Sequence, residues 1–460
     1  MLQRQKKRTF GKFKKLRLRT TQIIALAFAG IILLGTGLLL LPLASRSGVS
    51  CGLPTALFTA TSATCVTGLT LADTWSQWSG FGQAVILCMI EIGGLGFMSA
   101  AAMVIFLFRK KVGLKQRMVI AQALSLNDMQ GVVRLQKVLI FGSLGIQFLG
   151  ALVLTLRFLP AYGFRQAATW GIFHAVSGFC NAGFDIFGKI APGQSLIPFN
   201  DDPVVLITLM ILVIVGGLGF FVWEELARVR SFRKFSVYTK LVLIATAGIT
   251  VLGAGIFLLL EWNNPETLGG MPLWQKLLNS FFQVTTLRTA GFAAIDQGAL
   301  TDGSKAVSRV VMLIGGSSGS TAGGLKTVTF VVLVLYIWAK ARGRSTVHVF
   351  KRTIPEKKAT DAMTIFFVMT ALAFFGSFVI TVTAPGVSFT AGLFESVSAL
   401  ATVGLTTGIT ATIGLPAQLL LILFMYFGRV GILTISLGFL MGNTATDRYR
   451  YADANNLLIG

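Results

Sequence analysis

Four short segments of this 460-residue chain repeat one pattern: FTATSATCVTGL, FHAVSGFCNAGF, FFQVTTLRTAGF and FESVSALATVGL. Aligned on their late glycines, Gly68, Gly183, Gly291 and Gly404, they place Phe58, Phe173, Phe281 and Phe394 ten residues earlier and Ser62, Ser177, Thr285 and Ser398 six earlier. Leu69, Phe184, Phe292 and Leu405 follow directly. The side chains before the glycines, Cys65-Val66-Thr67, Cys180-Asn181-Ala182, Arg288-Thr289-Ala290 and Ala401-Thr402-Val403, have no ligand chemistry in common. Backbone is what they share. A glycine takes φ > 0 and lets successive carbonyls turn toward a common axis. A ring of carbonyls can replace the water that a potassium ion sheds, whose loss in hydrocarbon costs on the order of tens of kcal/mol. One such turn is ordinary; four in register form a set. The glycines lie 115, 108 and 113 residues apart, close to a quarter of the chain, so the sequence reads as four copies of one unit.

The elements that position these turns follow from composition. With 54% hydrophobic and 12% charged residues and a mean hydropathy of +0.76, the chain cannot cover a soluble surface or remain disordered. Runs such as Ile23 to Leu41 and Val204 to Val215 are too continuously apolar for barrel strands. Eight apolar spans are predicted: Thr21 to Pro42, Phe81 to Phe108, Leu139 to Phe158, Pro203 to Val222, Leu241 to Leu260, Val307 to Trp338, Ala362 to Val382 and Gln418 to Met441. The first is too long for a cleaved signal segment. The expected fold is therefore an all-α polytopic membrane protein. Its eight transmembrane helices form four repeats of span, pore helix, filter and span around one pseudo-fourfold pore. A segment of about ten residues is too short to cross, so each pore helix dips in and returns as extended chain. The chain divides into a basic cytoplasmic tail (1–20), repeats at 21–110, 111–230, 231–345 and 346–443, and a C-terminal tail (444–460).

The formal charge of +23 is a topological signal rather than a nucleic-acid footprint. Both tails and the links after the second, fourth and sixth spans hold 30 basic residues against 7 acidic, whereas the other face, counting Arg288, holds 8 against 8. Both termini are thus expected in the cytoplasm, next to anionic lipid. Cys51, Cys65, Cys88 and Cys180 form no CxxC pair and read as free thiols. His174 sits on a pore helix, where packing suits it better than ligation, and His348 has no second ligand at useful spacing. No catalytic constellation remains, and an enzyme is not expected.

The motifs SATCVTGL, NAGF, RTAGF, ATVGLT, GGSSGSTAGG and FGRVG resemble the membrane subunit of bacterial Ktr potassium-uptake systems, within the Trk/Ktr/HKT superfamily, over nearly the whole chain. The resemblance implies a single filter at Val66-Thr67-Gly68, Asn181-Ala182-Gly183, Thr289-Ala290-Gly291 and Thr402-Val403-Gly404, with potassium at its carbonyls. Glycine at 68, where some plant relatives have serine and favour sodium, implies potassium. Cys180 departs from the asparagine expected there. The resemblance further implies a bacterial cell-membrane homodimer on a separate cytoplasmic ring of nucleotide-binding regulatory subunits. It implies no covalent cofactor, nucleotide on the partner alone, and sodium as a candidate activator.

The sixth span contains ten consecutive small residues, Gly315-Gly316-Ser317-Ser318-Gly319-Ser320-Thr321-Ala322-Gly323-Gly324. Each glycine costs a helix about 1 kcal/mol relative to alanine, so the span should break there. A break lays polar backbone across the pore below the filter; close helix packing is the alternative. The resemblance makes the stretch an intramembrane gate. Gly93-Gly94, Gly216-Gly217 and Gly428 to Gly431 follow the other filters and read as close packing sites. Glu91, Lys326, Glu395 and Arg429 are the charges expected inside the membrane. Arg429 can hold gate carbonyls, the role the resemblance gives it, or pair with Glu91. Lys326 belongs to the gate or reaches toward the cytoplasm, and Glu395 can brace the fourth filter. Asp73, Asp185 and Asp296 can concentrate cations at the outer mouth or stand as solvated loop charge. The rival to a gated conductor is a secondary transporter coupling potassium to sodium or protons.

Overall fold

A computed structural model describes residues 20–96 and 132–431. The tails and most of the link between the first two repeats lie outside the described residues. So does the C-terminal stretch from Thr444 that would suit an intersubunit contact. The described chain is helical apart from one short hairpin, β1 (Val347–Val349) with β2 (Arg352–Ile354).

In each repeat the first helix is long and apolar. These are α1 (Thr20–Leu39), the 132–162 part of α4 (Val132–Cys180), α7 (Val237–Glu261) and α11 (Glu356–Thr383). Each is long enough to cross a bilayer. Exposed residues along them, such as Leu259 at 78% and Phe367 at 74%, would make an insoluble surface in water and a normal one against lipid.

The pore helices follow as α2 (Leu53–Cys65), the 164–180 part of α4, α8 (Leu273–Leu287) and α12 (Phe389–Leu400). Within α4, Gly163 at φ +73 makes the turn between span and pore helix, aided by Pro160 three residues before it.

The second helices are α3 (Gly80–Leu95), α5 (Pro203–Leu218) with α6 (Phe220–Arg228), α9 (Asp302–Leu313) with α10 (Thr327–Ala341), and α13 (Leu415–Val430). α5–α6 and α9–α10 are interrupted within the described residues, whereas the expected spans Phe81 to Phe108 and Gln418 to Met441 run past Gly96 and Gly431 into residues outside them, so the eight expected spans appear as four long helices, one bent pair and shorter pieces. α3, α5 and α13 end on glycines at equivalent places, Gly96, Gly219 and Gly431, with φ of +85, +87 and +94. At Gly219 the chain bends by 95° between α5 and α6. The third repeat has the whole segment 314–326 instead.

Just above these stops, the second helices press against the pore helices through missing side chains. A Cβ on Gly93, Gly216 or Gly428 would strike the carbonyl of Thr64, Phe179 or Leu400, in each case four residues before the filter glycine. These contacts seat the pore helices on the second spans and make the glycine pairs packing sites. Gly216→Ala should lower stability by about 1–3 kcal/mol through overpacking, whereas Gly248→Ala, whose Cβ meets nothing, should not. Thermal unfolding of the purified protein in one detergent reads both.

Candidate functional site

At the ends of the pore helices the four turns share one backbone shape. Val66, Asn181, Thr289 and Thr402 lie at φ of +57, +59, +68 and +53, and Gly68, Gly183, Gly291 and Gly404 two residues later at +97, +69, +82 and +95. Alternating left-handed and ordinary backbone aims the carbonyls between them inward. A Cβ on Gly68 would stand 2.6 Å from the Ala182 carbonyl oxygen, one on Gly183 2.8 Å from that of Ala290, and one on Gly291 2.5 Å from that of Val403. Gly404 meets the carbonyl of Thr67 in the same way. The order runs first repeat to second to third to fourth and back to the first. The turns close a ring.

Hydroxyls fix the ring from behind. Ser62 and Ser398 accept the N–H of Gly68 and Gly404 at 3.1 and 3.0 Å, and Ser177 donates to the Phe184 carbonyl at 2.7 Å. In the third repeat the expected Thr285 instead donates to Phe281 on its own helix, and its neighbour Thr286 holds the Phe292 carbonyl at 2.7 Å. The aromatic shifts too: Phe282 is 2% exposed, with Phe58, Phe173 and Phe394, whereas Phe281 is 37% exposed. One residue is missing between helix and turn in this repeat. The doublets Phe281-Phe282 and Thr285-Thr286 hide the deletion from an alignment on glycines.

Corrected for that shift, one position of three pore helices carries a polar anchor for the outgoing chain. His174 accepts from the Ile186 N–H at 3.3 Å while its other ring nitrogen faces the Trp170 carbonyl at 2.7 Å, which fixes a neutral, non-ligating imidazole. Gln283 and Gln297 exchange amide hydrogen bonds of 2.6 and 3.1 Å. Glu395, fully buried, accepts from Thr406 and Thr410 at 2.6 Å each and from the Thr407 N–H at 2.9 Å.

Below the ring the segment 314–326 crosses toward other repeats. It is pinned to its own helices by Gly315 N–H to Leu325 and Thr327 N–H to Gly316, at 2.9 and 3.0 Å. It reaches the second repeat through Ser317 N–H to the Gly217 carbonyl at 3.0 Å and the Thr321 hydroxyl to the Phe179 carbonyl at 3.1 Å. A Cβ on Gly323 would strike the Thr402 hydroxyl of the fourth turn. Gly315, Gly316, Ser317, Thr321, Ala322 and Gly323 are buried, while Ser318, Gly319, Ser320 and Gly324 are half-buried.

Arg429 comes from α13 and donates to the Thr321 carbonyl of the break and to the Gly93 and Gly94 carbonyls of the first repeat, the last at 3.1 Å. Glu91 is not its partner: that carboxylate accepts from Gln147 and Cys180 at 3.0 and 3.4 Å. Lys326 donates to the Ala322 carbonyl at 2.7 Å and shares with Arg429 the wall of a cavity of about 250 Å³. Arg288 corrects the charge count, since it belongs to the interior rather than the outer face. Only 8% exposed, it turns down from the third turn to Thr327 and Gly315, at 3.1 and 3.4 Å.

Outside the ring a cavity of about 340 Å³ is lined by the four glycines together with Asp73, Asp185 and Asp296. Asp73 is tied to the second repeat by the Gly193 N–H at 3.1 Å. Burial, reinforced by the Asp73 carboxylate, pushes Asp185 up to about 6. Among the described residues no cluster of His, Cys, Asp and Glu could hold a metal ion, and all four cysteines are unpaired.

The comparison with known proteins now decides the family. The TrkH model, described as "cation transport protein", matches residues 4–445. The chain belongs to the TrkH family of cation transport proteins. It is 39% identical to the potassium/sodium uptake protein NtpJ of Enterococcus hirae over 96% of this chain and 98% of that one. It is 37% identical to the Ktr system potassium uptake protein B of Bacillus subtilis, over 96% and 97%. The crystal structure of the potassium transporter TrkH from Vibrio parahaemolyticus shares the fold, with a TM-score of 0.74 at 18% identity over 94% of this chain and 87% of that one. This TrkH-family chain is a multi-pass membrane transport protein, not an enzyme.

For a carboxyl group raised to about 6, the charge is present above that pH and lost below it. Cation uptake at subsaturating concentration should therefore decline as external pH falls through about 6, and Asp185→Asn should flatten that step. A pH profile with the same step in the variant would place the titrating group elsewhere.

Proposed function

We propose that this TrkH-family protein is a gated potassium-uptake pathway driven by the membrane potential, with the ring of carbonyls at 66–68, 181–183, 289–291 and 402–404 as its selectivity filter. The observation that carries this reading is the closed cyclic contact of Gly68, Gly183, Gly291 and Gly404, each against the carbonyl of the next repeat. Such a ring offers a dehydrated cation oxygen ligands from all sides. The names of the relatives, a potassium/sodium uptake protein at 39% identity and a Ktr system potassium uptake protein at 37%, both over nearly the whole chain, support potassium as an ion carried.

In this reading the stretch 315–324 is the gate, held across the path by Arg429, with Lys326 beside it. Both termini face the cytoplasm. The basic links dock a homodimer onto a separate ring of nucleotide-binding subunits, whose ligand-driven movement shifts the stretch. Anionic lipid meets the same basic face, and sodium is a candidate activator. The protein carries potassium as substrate and no covalent cofactor.

Two experiments test the reading in potassium-transport-deficient cells. Gly68→Ser puts a side chain at φ +97 and 2.6 Å from the Ala182 oxygen, so potassium preference over sodium should fall. Unchanged selectivity at normal expression would move the ion site into the helix bundle, as in a secondary transporter. Deleting Ser317 to Thr321 should leave flux that no longer responds to the regulatory partner; intact regulation would remove the gate from this stretch.

A further inference from the structure

The tip of the 314–326 segment, Ser318-Gly319, is half-buried, and the elbow between α6 and α7 closes around it. The Phe220 N–H, first in α6, donates to the Gly319 carbonyl at 3.0 Å. The Tyr238 hydroxyl, in the first turn of α7, donates to the Ser318 carbonyl at 2.8 Å. Gly319 takes φ +72, and a Cβ there would stand 2.8 Å from the Phe221 ring, which meets the Tyr238 ring edge-on at 6.4 Å. Gly219 completes the cradle, since its own missing Cβ would stand 2.9 Å from the Ser318 oxygen.

The elbow is itself a built unit. α6 leaves α5 at 95°, so it lies across rather than along the bundle. Glu225 on α6 clasps the start of α7, accepting from the Ser236 N–H and hydroxyl at 2.6 and 2.7 Å and from the Thr239 hydroxyl. A displacement of α6 therefore carries the first turn of α7, and Tyr238 with it. The remaining contacts of the segment are of another kind. Arg288 binds near its two ends, at Gly315 and Thr327, Arg429 binds Thr321, and the carbonyls of Gly217, Gly216 and Phe179 in the second repeat hold Ser317 and Thr321, all from within the bundle. Among the described residues, the tip is hydrogen-bonded from the two sides of the basic link of Arg228, Arg230, Arg233 and Lys234, by Phe220 before it and Tyr238 after it.

We propose that the α6–α7 elbow is the latch of the gate, and that the Tyr238 hydroxyl is the positioning group whose bond to Ser318 must be given up when the segment moves. The proposal rests on the reading of 314–326 as the gate and names how that gate is held shut from the cytoplasmic side.

Tyr238→Phe removes one oxygen and keeps the ring against Phe221. One neutral hydrogen bond shifts a two-state equilibrium about fivefold, so potassium flux without activation should rise by about that factor at unchanged preference over sodium. A second readout uses Ser320→Cys in a Cys51→Ser, Cys88→Ser background, with labelling by a membrane-permeant maleimide. Tyr238→Phe should speed this labelling by a similar factor. Unchanged unactivated flux together with unchanged labelling would overturn the latch, even where deletion of Ser317 to Thr321 abolishes regulation. If that deletion leaves regulation intact, the gate reading itself falls, whatever Tyr238 does.

Discussion

Water is absent from the interior of a bilayer, so any chain that leaves the helix there must find partners for its N–H and C=O groups within the protein. This molecule leaves the helix at four turns and along the segment 314–326, and much of its interior architecture answers that demand. The pore helices deliver the turns and end in hydroxyls that take up a glycine N–H or an outgoing carbonyl, as Ser62, Ser177, Thr286 and Ser398 do. The second helices lose side chains at Gly93, Gly216 and Gly428 so that they can lie against the pore-helix carbonyls. What stays unpaired by helix or hydroxyl, among the described residues, is the row of carbonyls of Thr67, Ala182, Ala290 and Val403 beside the ring glycines, the oxygens that the proposed function assigns to the ion.

The four repeats are equal where they form the ring and unequal beneath it. Three second helices end at a single glycine, Gly96, Gly219 or Gly431, and the third repeat opens into a segment that touches the second and fourth repeats. The fourth supplies Arg429, which reaches both that segment and the first repeat. The third turn is one residue short, and its Arg288 points away from the ring toward the break. Symmetry suits coordination of a spherical ion from all sides. An obstruction that moves needs only one repeat to differ, and a symmetric floor would have to move four elements together.

The ring, the break and the repeat were legible in the sequence because each depends on backbone, and glycine announces backbone directly. Side-chain roles were legible only where spacing was intact. An alignment on glycines mistook exposed Phe281 for buried Phe282 and Thr285 for Thr286, because a one-residue deletion is invisible between doublets. It also hid the shared polar position of His174, Gln283 and Glu395. Arg288 was counted with the outer charges because a guanidinium so near a turn looks solvated, whereas its stem carries it down behind the turn. Tyr238 gave no signal, since its partner is a carbonyl 80 residues away. Contacts between side chain and distant backbone carry no periodicity to read.

Charge completes the division between ring and floor. Asp73, Asp185 and Asp296 stand outside the glycines, and Arg288, Lys326 and Arg429 stand below them. Each of these three basic side chains donates to backbone carbonyls of the break or of its neighbours: Arg288 to Gly315, Lys326 to Ala322, and Arg429 to Thr321, Gly93 and Gly94. If the segment is the gate of the proposed function, it opposes a cation twice, by lying in the way and by having these acceptors taken. Under the proposed function, a shift of the segment that frees the Thr321 carbonyl from Arg429 would lift both obstacles at once, because one peptide group carries the block and the bond to the guanidinium. In that reading, steric and electrostatic release coupled through one peptide group would make a small displacement sufficient, and would give a reason for a buried arginine where a neutral side chain would pack at lower cost.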